Sequence, residues 1–398
     1  VLAAASLVIA FPAVRAYATV PPPALQAVNA WAATTLTPGT PPPVVAMHRR
    51  QELDMRRPLL WEQPRLPAFT AHLPAPAKHE WLELVKFWNA HPSFAGDVFF
   101  LADPPRSDLR LIDRHALHKV AEYRWPFEAI ALLGGVRPNV MDFYRISQPT
   151  WFAGEGWALT PETAGVARDE GKGPGRAPIQ AWVRRQAGPM RLMIGGRKLA
   201  GVQPTPVTVA IDGRTVWSAT VSPGFFLQFV SLDAGALAGE GAYATLTVRS
   251  ETDEVAIEQF DVQAVEQIVY GFGDGWQEAE YNPATGRLWR WTSERAVLRA
   301  MAPRRQLTLH LDGEFETSAK TAHVTVRAGD RVLAAQDVPR RFAIDVQVPS
   351  DVVADGAAGG ETQLTIESDQ WYVPAETNWR PTQDRRHLAL RIFECELR

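Results

Sequence analysis

Gly154-Glu155-Gly156-Trp157 returns 119 residues later as Gly273-Asp274-Gly275-Trp276, and segments further along the chain keep nearly the same spacing. Leu192, Ile194 and Gly196 match Leu309, Leu311 and Gly313 at an offset of 117, and the same 117 carries Val207-Thr208-Val209 onto Val324-Thr325-Val326 and Arg214 onto Arg331. Leu246-Thr247-Val248 meets Leu364-Thr365-Ile366 at 118. Isolated motif matches would not hold a common spacing, so the pattern implies duplication of one folding unit. Within each copy, short runs alternate between apolar and polar residues and are broken by Gly, Pro and Asp-Gly turns, as in an antiparallel sandwich. Asp212-Gly213 suits the positive-φ positions of a tight hairpin, and Gly329-Asp330 occupies the related turn. Each copy is roughly 120 residues long, the size of one β-sandwich of seven or eight strands. Ile257 and Phe260 align with Leu390 and Phe393 only at an offset of 133, which places an insertion between Asp369 and Leu388 of the second copy. A loop absorbs extra residues at small entropic cost.

Upstream of the repeat the pattern is mixed. Val44-Val45-Ala46-Met47 and Val98-Phe99-Phe100-Leu101 read as buried strands, and Trp81, Leu84, Val85 and Trp88 share one helical face between them. Parallel strands need such a crossover. The expected fold is therefore a small N-terminal α/β domain over 44–150, then all-β: two tandem jelly-roll-like antiparallel sandwiches over 151–268 and 269–398. Val120 to Trp125 and Met141 to Ile146 are expected to be further strands leading toward the first sandwich.

The apolar start, Val1 to Val14, is too short to cross a bilayer, which takes about 20 residues. Residues 1–20 are read as the end of a truncated transmembrane helix, and 21–43, with Pro21-Pro22-Pro23 and Pro41-Pro42-Pro43, as a semi-rigid linker leaving the membrane. In a secreted precursor, Ala16-Tyr17-Ala18 would instead fit a cleavage site. Either reading puts the rest of the chain outside the cytoplasm. The net charge of −3 offers no basic face for nucleic acid. With Cys395 as the sole cysteine, neither an internal disulfide nor a thiolate metal cluster can form.

Phe152 to Gly165, Gly273 to Pro283 and Leu288-Trp289-Arg290-Trp291-Thr292-Ser293-Glu294, with Phe100-Leu101-Ala102-Asp103-Pro104 and the apolar start, resemble the C-terminal soluble region of bacterial polytopic glycosyltransferases of the dolichyl-phosphate-mannose mannosyltransferase type. The resemblance implies a parent enzyme in the bacterial inner membrane, with this region on the periplasmic side, that moves a sugar from a polyprenyl-phosphate donor. Its catalytic acid would stand on a loop near the start of a membrane domain upstream of Val1, so no catalytic residue of the family falls on this chain. The partners implied are the membrane, through upstream helices, and a glycan or lipid-linked sugar.

The residues richest in binding chemistry open the second copy: Trp276, Glu278, Glu280, Tyr281, Trp289, Arg290 and Trp291. A sugar packs its C–H face on a flat aromatic ring and presents hydroxyls to carboxylates and guanidinium groups. Because Trp157 recurs at the Trp276 position, Trp276 and Trp291 are expected in the core. Trp289 is expected on the opposite face from Trp291, as the better binding candidate, and Arg290 either meets sugar hydroxyls with the carboxylates or pairs with a Glu on the sandwich surface. Glu278 and Glu280, two apart on an extended segment, should share a face. The insertion offers Trp371, Tyr372 and Trp379 as a second candidate surface, or as a cover for the sheet edge. No pair of acids can be argued into glycosidase geometry. His115 and His118 lack zinc spacing, and Gly171 to Arg176 lacks the residues of a phosphate loop. No cofactor and no metal site is expected.

The leading functional expectation is a non-catalytic accessory region of a membrane glycosyltransferase that positions acceptor or binds glycan. A secreted carbohydrate-binding or adhesion module is the alternative, and a structural spacer the third possibility.

Overall fold

The computed structural model describes residues 44–47, 88, 91–92, 94, 96–102, 112–125, 139–154, 157–158, 166–167, 179–198, 201–250, 255–282, 287–377 and 382–398. The chain divides into two compact units, Val1–Pro149 and Thr150–Arg398. No helix among the described residues is long and apolar enough to cross a membrane.

The first unit holds a four-stranded mixed sheet of β1 (Val44–Met47), β2 (Val98–Ala102), β3 (Leu117–Trp125) and β4 (Asn139–Ile146), in the order β1-β2-β4-β3. β1 and β2 run parallel, with Val44 opposite Phe99, and the other pairings are antiparallel. Of the segment that crosses between the parallel strands, Trp88 is helical and fully buried beside Phe94. Trp81, Leu84 and Val85 lie outside the described residues. Phe99 and Phe143 stack across β2 and β4 with ring centroids 5.7 Å apart. The strands expected to lead toward the first sandwich are β3 and β4 of this sheet.

The first copy supplies β5 (Trp151–Ala153), β6 (Trp157–Ala158), β7 (Val166–Ala167), β8 (Ile179–Arg184), β9 (Met190–Lys198), β10 (Thr205–Ile211), β11 (Arg214–Val221), β12 (Gly224–Leu232), β13 (Tyr243–Ser250) and β14 (Val255–Ala264). The second supplies β15 (Val269–Phe272), β16 (Trp276–Asn282), β17 (Arg287–Thr292), β18 (Arg295–Met301), β19 (Leu307–Phe315), β20 (Thr321–Ala328), β21 (Arg331–Pro339), β22 (Arg341–Val348), β23 (Thr362–Ser368) and β24 (Leu390–Leu397). The two copies are joined in one order. A sheet β11-β10-β13-β8-β5 answers to β21-β20-β23-β18-β15, and β12-β9-β14 to β22-β19-β24, with β17 and β16 added beyond β24.

Even the irregularities repeat. Register shifts fall after Val209 in β10 and after Val326 in β20, and again at Glu258 in β14 and Phe393 in β24. The last strand corrects the expected alignment: Gly196 faces Ile257 while its counterpart Gly313 faces Ile392, so the offset there is 135 and not 133. A slip of two residues keeps every side chain on its own face, which is why the sequence pattern tolerated it.

The cores follow from period-two alternation. In β19, Leu307, Leu309, Leu311, Gly313 and Phe315 are the buried set, and in β10 Thr205, Val207, Val209 and Ile211 are. Those of β19 meet Leu298, Val324, Val326, Leu364, Ile366, Leu390 and Ile392 between the sheets. β9 is buried on both faces. Its second face, with Met193 and Gly195, receives Leu227, Phe225 and Phe229 of β12 and Val269 of β15, so this apolar seam joins the sandwiches. Gln259 closes the seam by donating to the Phe272 carbonyl at 2.9 Å and accepting from the Phe272 amide at 2.7 Å. Arg299 pairs with Glu361 at 2.6 Å and donates to the Leu227 carbonyl at 2.8 Å.

Candidate functional site

The sheet β16-β17-β24-β19-β22 has one face in the core and one turned outward, and the aromatic residues of β17 go outward. Trp289 and Trp291 are two residues apart and therefore share a face, which corrects the expectation that they oppose one another. With Leu388, Tyr372 and Phe393 they form a cluster outside the core that Trp276 occupies. Both rings are buried, Trp289 at 9% exposure. Trp276 does lie in the core, its ring edge-on to Phe272 at 4.7 Å.

Arg290, between the two tryptophans, necessarily points inward. It is 5% exposed, with its Nη1 donating to the Gln277 carbonyl at 3.0 Å and its guanidinium over the Phe272 ring at 4.8 Å. Its Nε has no hydrogen-bond partner among the described residues. Burial pulls its pKa down to about 10. Among the described residues Arg290 forms no surface pair with a Glu, and its burial keeps it from meeting a ligand from outside, so neither reading of it holds.

Glu278 sits within a β-bulge between Trp276 and Ala279 and Glu280 lies beyond it, and the two carboxylates take different partners. Glu278 pairs with Arg197 of the first sandwich, which also holds Glu258 at 2.7 Å. Glu280 stays on the outer face, where it accepts from the Trp289 indole Nε1 at 2.9 Å and from Arg386 Nη1 at 3.0 Å. Tyr281 lies in β16 opposite Leu288, and Trp379 lies outside the described residues.

The insertion is tied down on this face. Tyr372 and Leu388 exchange backbone hydrogen bonds of 3.0 and 2.9 Å, closing a loop whose Asp384 and Arg386 form a bidentate pair at 3.0 and 2.7 Å. Arg391 of β24 lays its guanidinium 4.0 Å above Trp289 and bridges Glu314 at 3.1 Å and Glu316 at 2.9 Å. The Tyr372 hydroxyl donates to Glu316 at 3.0 Å, and burial together with that carboxylate holds the phenol well above its usual range. The Tyr372 ring meets Trp291 edge-on at 6.1 Å. Trp289, Glu280 and Tyr372 thus anchor the insertion to the sheet, and their polar atoms are already occupied.

Trp371 is different. It is 45% exposed and rests one face on the imidazole of His387, centroids 4.6 Å apart and planes within 2°. His387 Nδ1 lies 3.2 Å from both carboxylate oxygens of Glu294. The result is a flat ring with one face supported from below and a polar pair beside it. Sequence reading missed His387, Glu294 and Arg391, although the run Arg385-Arg386-His387 inside an aromatic insertion was a signal. Among the described residues no group of three or more His, Cys, Asp or Glu is placed to hold a metal ion.

The strand order and registers define the region from Thr150 onward as a tandem antiparallel β-sandwich whose second copy carries an aromatic insertion. No family model matches the chain. No curated protein matches it. Among solved structures it is similar to the CBM22-1–CBM22-2 tandem domain of Xyn10C from Paenibacillus barcinonensis, at 10% identity over 62% of this chain and 92% of that one, TM-score 0.20. It is similar to the ANX2 ectodomain of Arabidopsis thaliana at 11% identity, over 61% and 89% of the two chains, TM-score 0.20. An isomalto-dextranase of Arthrobacter globiformis T6 complexed with panose is 14% identical over 55% of this chain and 34% of its own, TM-score 0.22. The sandwich assignment rests on the strand pairings above.

Proposed function

We propose that this chain is a non-catalytic glycan-binding tandem sandwich, the extracytoplasmic accessory region of a bacterial membrane glycosyltransferase that draws on a polyprenyl-phosphate sugar donor. The observation that carries the binding half of the reading is Trp371, an exposed indole backed by a coplanar imidazole on an insertion that only the second copy possesses. A pyranose or furanose ring would lie on its open face, with His387 and Glu294 at the rim to meet hydroxyls. The backbone bonds of Tyr372 to Leu388 and the contact of Arg386 with Glu280 tie the ends of the loop to the sheet, which lowers the ordering cost of binding at Trp371. The transferase half rests on the sequence resemblance and places the chemistry upstream of Val1.

The test is calorimetric titration of the chain with neutral mannan, arabinan and glucan oligosaccharides. Binding by the wild type that falls at least about tenfold in Trp371→Ala, with an unchanged thermal midpoint, supports the reading. No binding to any of them leaves the sandwiches as spacers, and identical binding by the variant overturns the assignment of the site to Trp371. Hydrophobic spans encoded upstream of Val1 would support the transferase half, and a start codon with a basic leader directly before it would refute that half.

A further inference from the structure

The duplication provides an internal control for a second surface, the outer face of β11-β10-β13 in the first sandwich. There a groove of about 370 Å³ is lined by Pro206, Thr208, Ala210, Thr215, Thr247 and Arg249. In the second copy the registers place His323, Thr325, Arg327, Val332, Thr365 and Glu367 at the corresponding positions. The two threonines of the central strands are retained, and what changes is the charge. Arg327 Nε pairs with Glu367 at 3.1 Å, and Arg295 approaches the same carboxylate at 3.8 Å, so the second copy fills its face with an ion pair. In the first copy Ala210 stands where Arg327 does, and Arg249 where Glu367 does. Removing one partner and inverting the other leaves an open trough and an exposed guanidinium with no ion pair among the described residues.

We propose that this groove binds a carboxylate-bearing glycan. Arg249 supplies a planar fork of donors that matches a carboxylate bidentately. The hydroxyls of Thr208, Thr215 and Thr247 line the same trough and meet the sugar hydroxyls on either side, while the Pro206 ring offers a small apolar wall. The volume lies in the range of about 300–1,000 Å³ typical of small-ligand clefts. The chemistry is separate from that at Trp371: charge recognition on the first sandwich, aromatic stacking on the second.

The experiment is calorimetric titration of the full 398-residue chain with tetra-galacturonate and with an alginate oligomer. The methyl-esterified tetra-galacturonate and inorganic phosphate are the comparators. The expected result is binding of a free-acid oligomer that weakens at least about tenfold on esterification and about as much in Arg249→Glu. The double variant Ala210→Arg with Arg249→Glu rebuilds the ion pair of the sister copy, so it should keep the wild-type thermal midpoint and lose binding. Trp371→Ala should bind the free acid as the wild type does, which separates this site from the one proposed above. Equal binding of acid and ester, undiminished binding by the double variant, phosphate binding as tightly as the oligomer, or no binding of either polyuronate would overturn it.

Discussion

Replacing Arg290 by Met should leave the protein as stable as the wild type or more so, although Arg290 was among the residues that sequence reading nominated for ligand binding. Its pKa falls from the usual guanidinium range to about 10 on folding, and at ~1.4 kcal/mol per unit this is a cost of roughly 3 kcal/mol for keeping the guanidinium charged in the core. Against it stand the hydrogen bond to the Gln277 carbonyl, worth about 1.5–3 kcal/mol for a charged donor, and the contact with Phe272, worth about 1. The opposing contributions nearly cancel. A Met side chain of similar length fills the space without the desolvation cost, so the expected change lies between about 0 and +2 kcal/mol of stability. Urea unfolding at neutral pH measures it. A pH series adds a signed check. Because the folded pKa is depressed, the cost is fully present below pH 10 and is relieved as the pH climbs from about 10 toward the ordinary guanidinium range, where the fold releases the proton before the unfolded chain does. The wild type should therefore gain on the Met variant across that window. Glycan binding should not change. A loss of more than about 3 kcal/mol in the Met variant would refute the reasoning, because it would mean that the charge holds the core together.

Trp289→Ala should cost about 3–5 kcal/mol in urea unfolding, since it removes a buried ring together with the partner of Glu280 and the platform of Arg391, whereas Trp371→Ala should cost less than about 0.5. Gly196→Ala and Gly275→Ala should each cost about 3 kcal/mol or prevent folding, because the new Cβ would fall 1.8 Å from the Ala256 and the Arg295 carbonyl oxygen respectively, and Gly275 also has φ +78°; thermal melts decide this. The raised pKa of Tyr372 contributes stability that is complete below pH 10, the ordinary phenol value, and is lost as the pH rises through the higher folded value. Ultraviolet titration of the folded protein should accordingly show one phenol ionising late, and Tyr372→Phe should remove that late step and nothing else.

The duplicated architecture was legible because it is written in local pattern. Alternation set the buried face of each strand, and a constant offset carried the strand order of one copy onto the other, since neither depends on which distant strand becomes the neighbour. What was not legible depends on pairing. The bulge that takes in Glu278 exists only in the register of β16 against β17. The ion pair of Glu278 with Arg197 joins residues from different sandwiches. The orientation of Trp289 is a separate case: the two-residue period places it beside Trp291, and the inward residue of that run is Arg290, whose charge argues for the surface. A buried charge of this kind is visible only when the neighbours that tolerate it, Gln277 and Phe272, are in place.

The two copies also show why binding chemistry can differ on one framework. In each sandwich the inward residues are fixed by the core, and the glycines at Gly196 and Gly313 are fixed by close backbone approach, so neither can vary without loss of the fold. Outward positions carry no such constraint on the β11-β10-β13 face and its counterpart, which is how Ala210 and Arg249 can stand where Arg327 and Glu367 do. The seam through Met193, Leu227 and Val269 removes a third surface from use, because it buries the second face of β9 against the next sandwich. Gln259 and Arg299 lock the seam by bonds to main-chain atoms of the other copy. The sandwiches should therefore unfold together, and any glycan held at both the Arg249 groove and the Trp371 ring would meet a fixed spacing set by the seam and not by a linker.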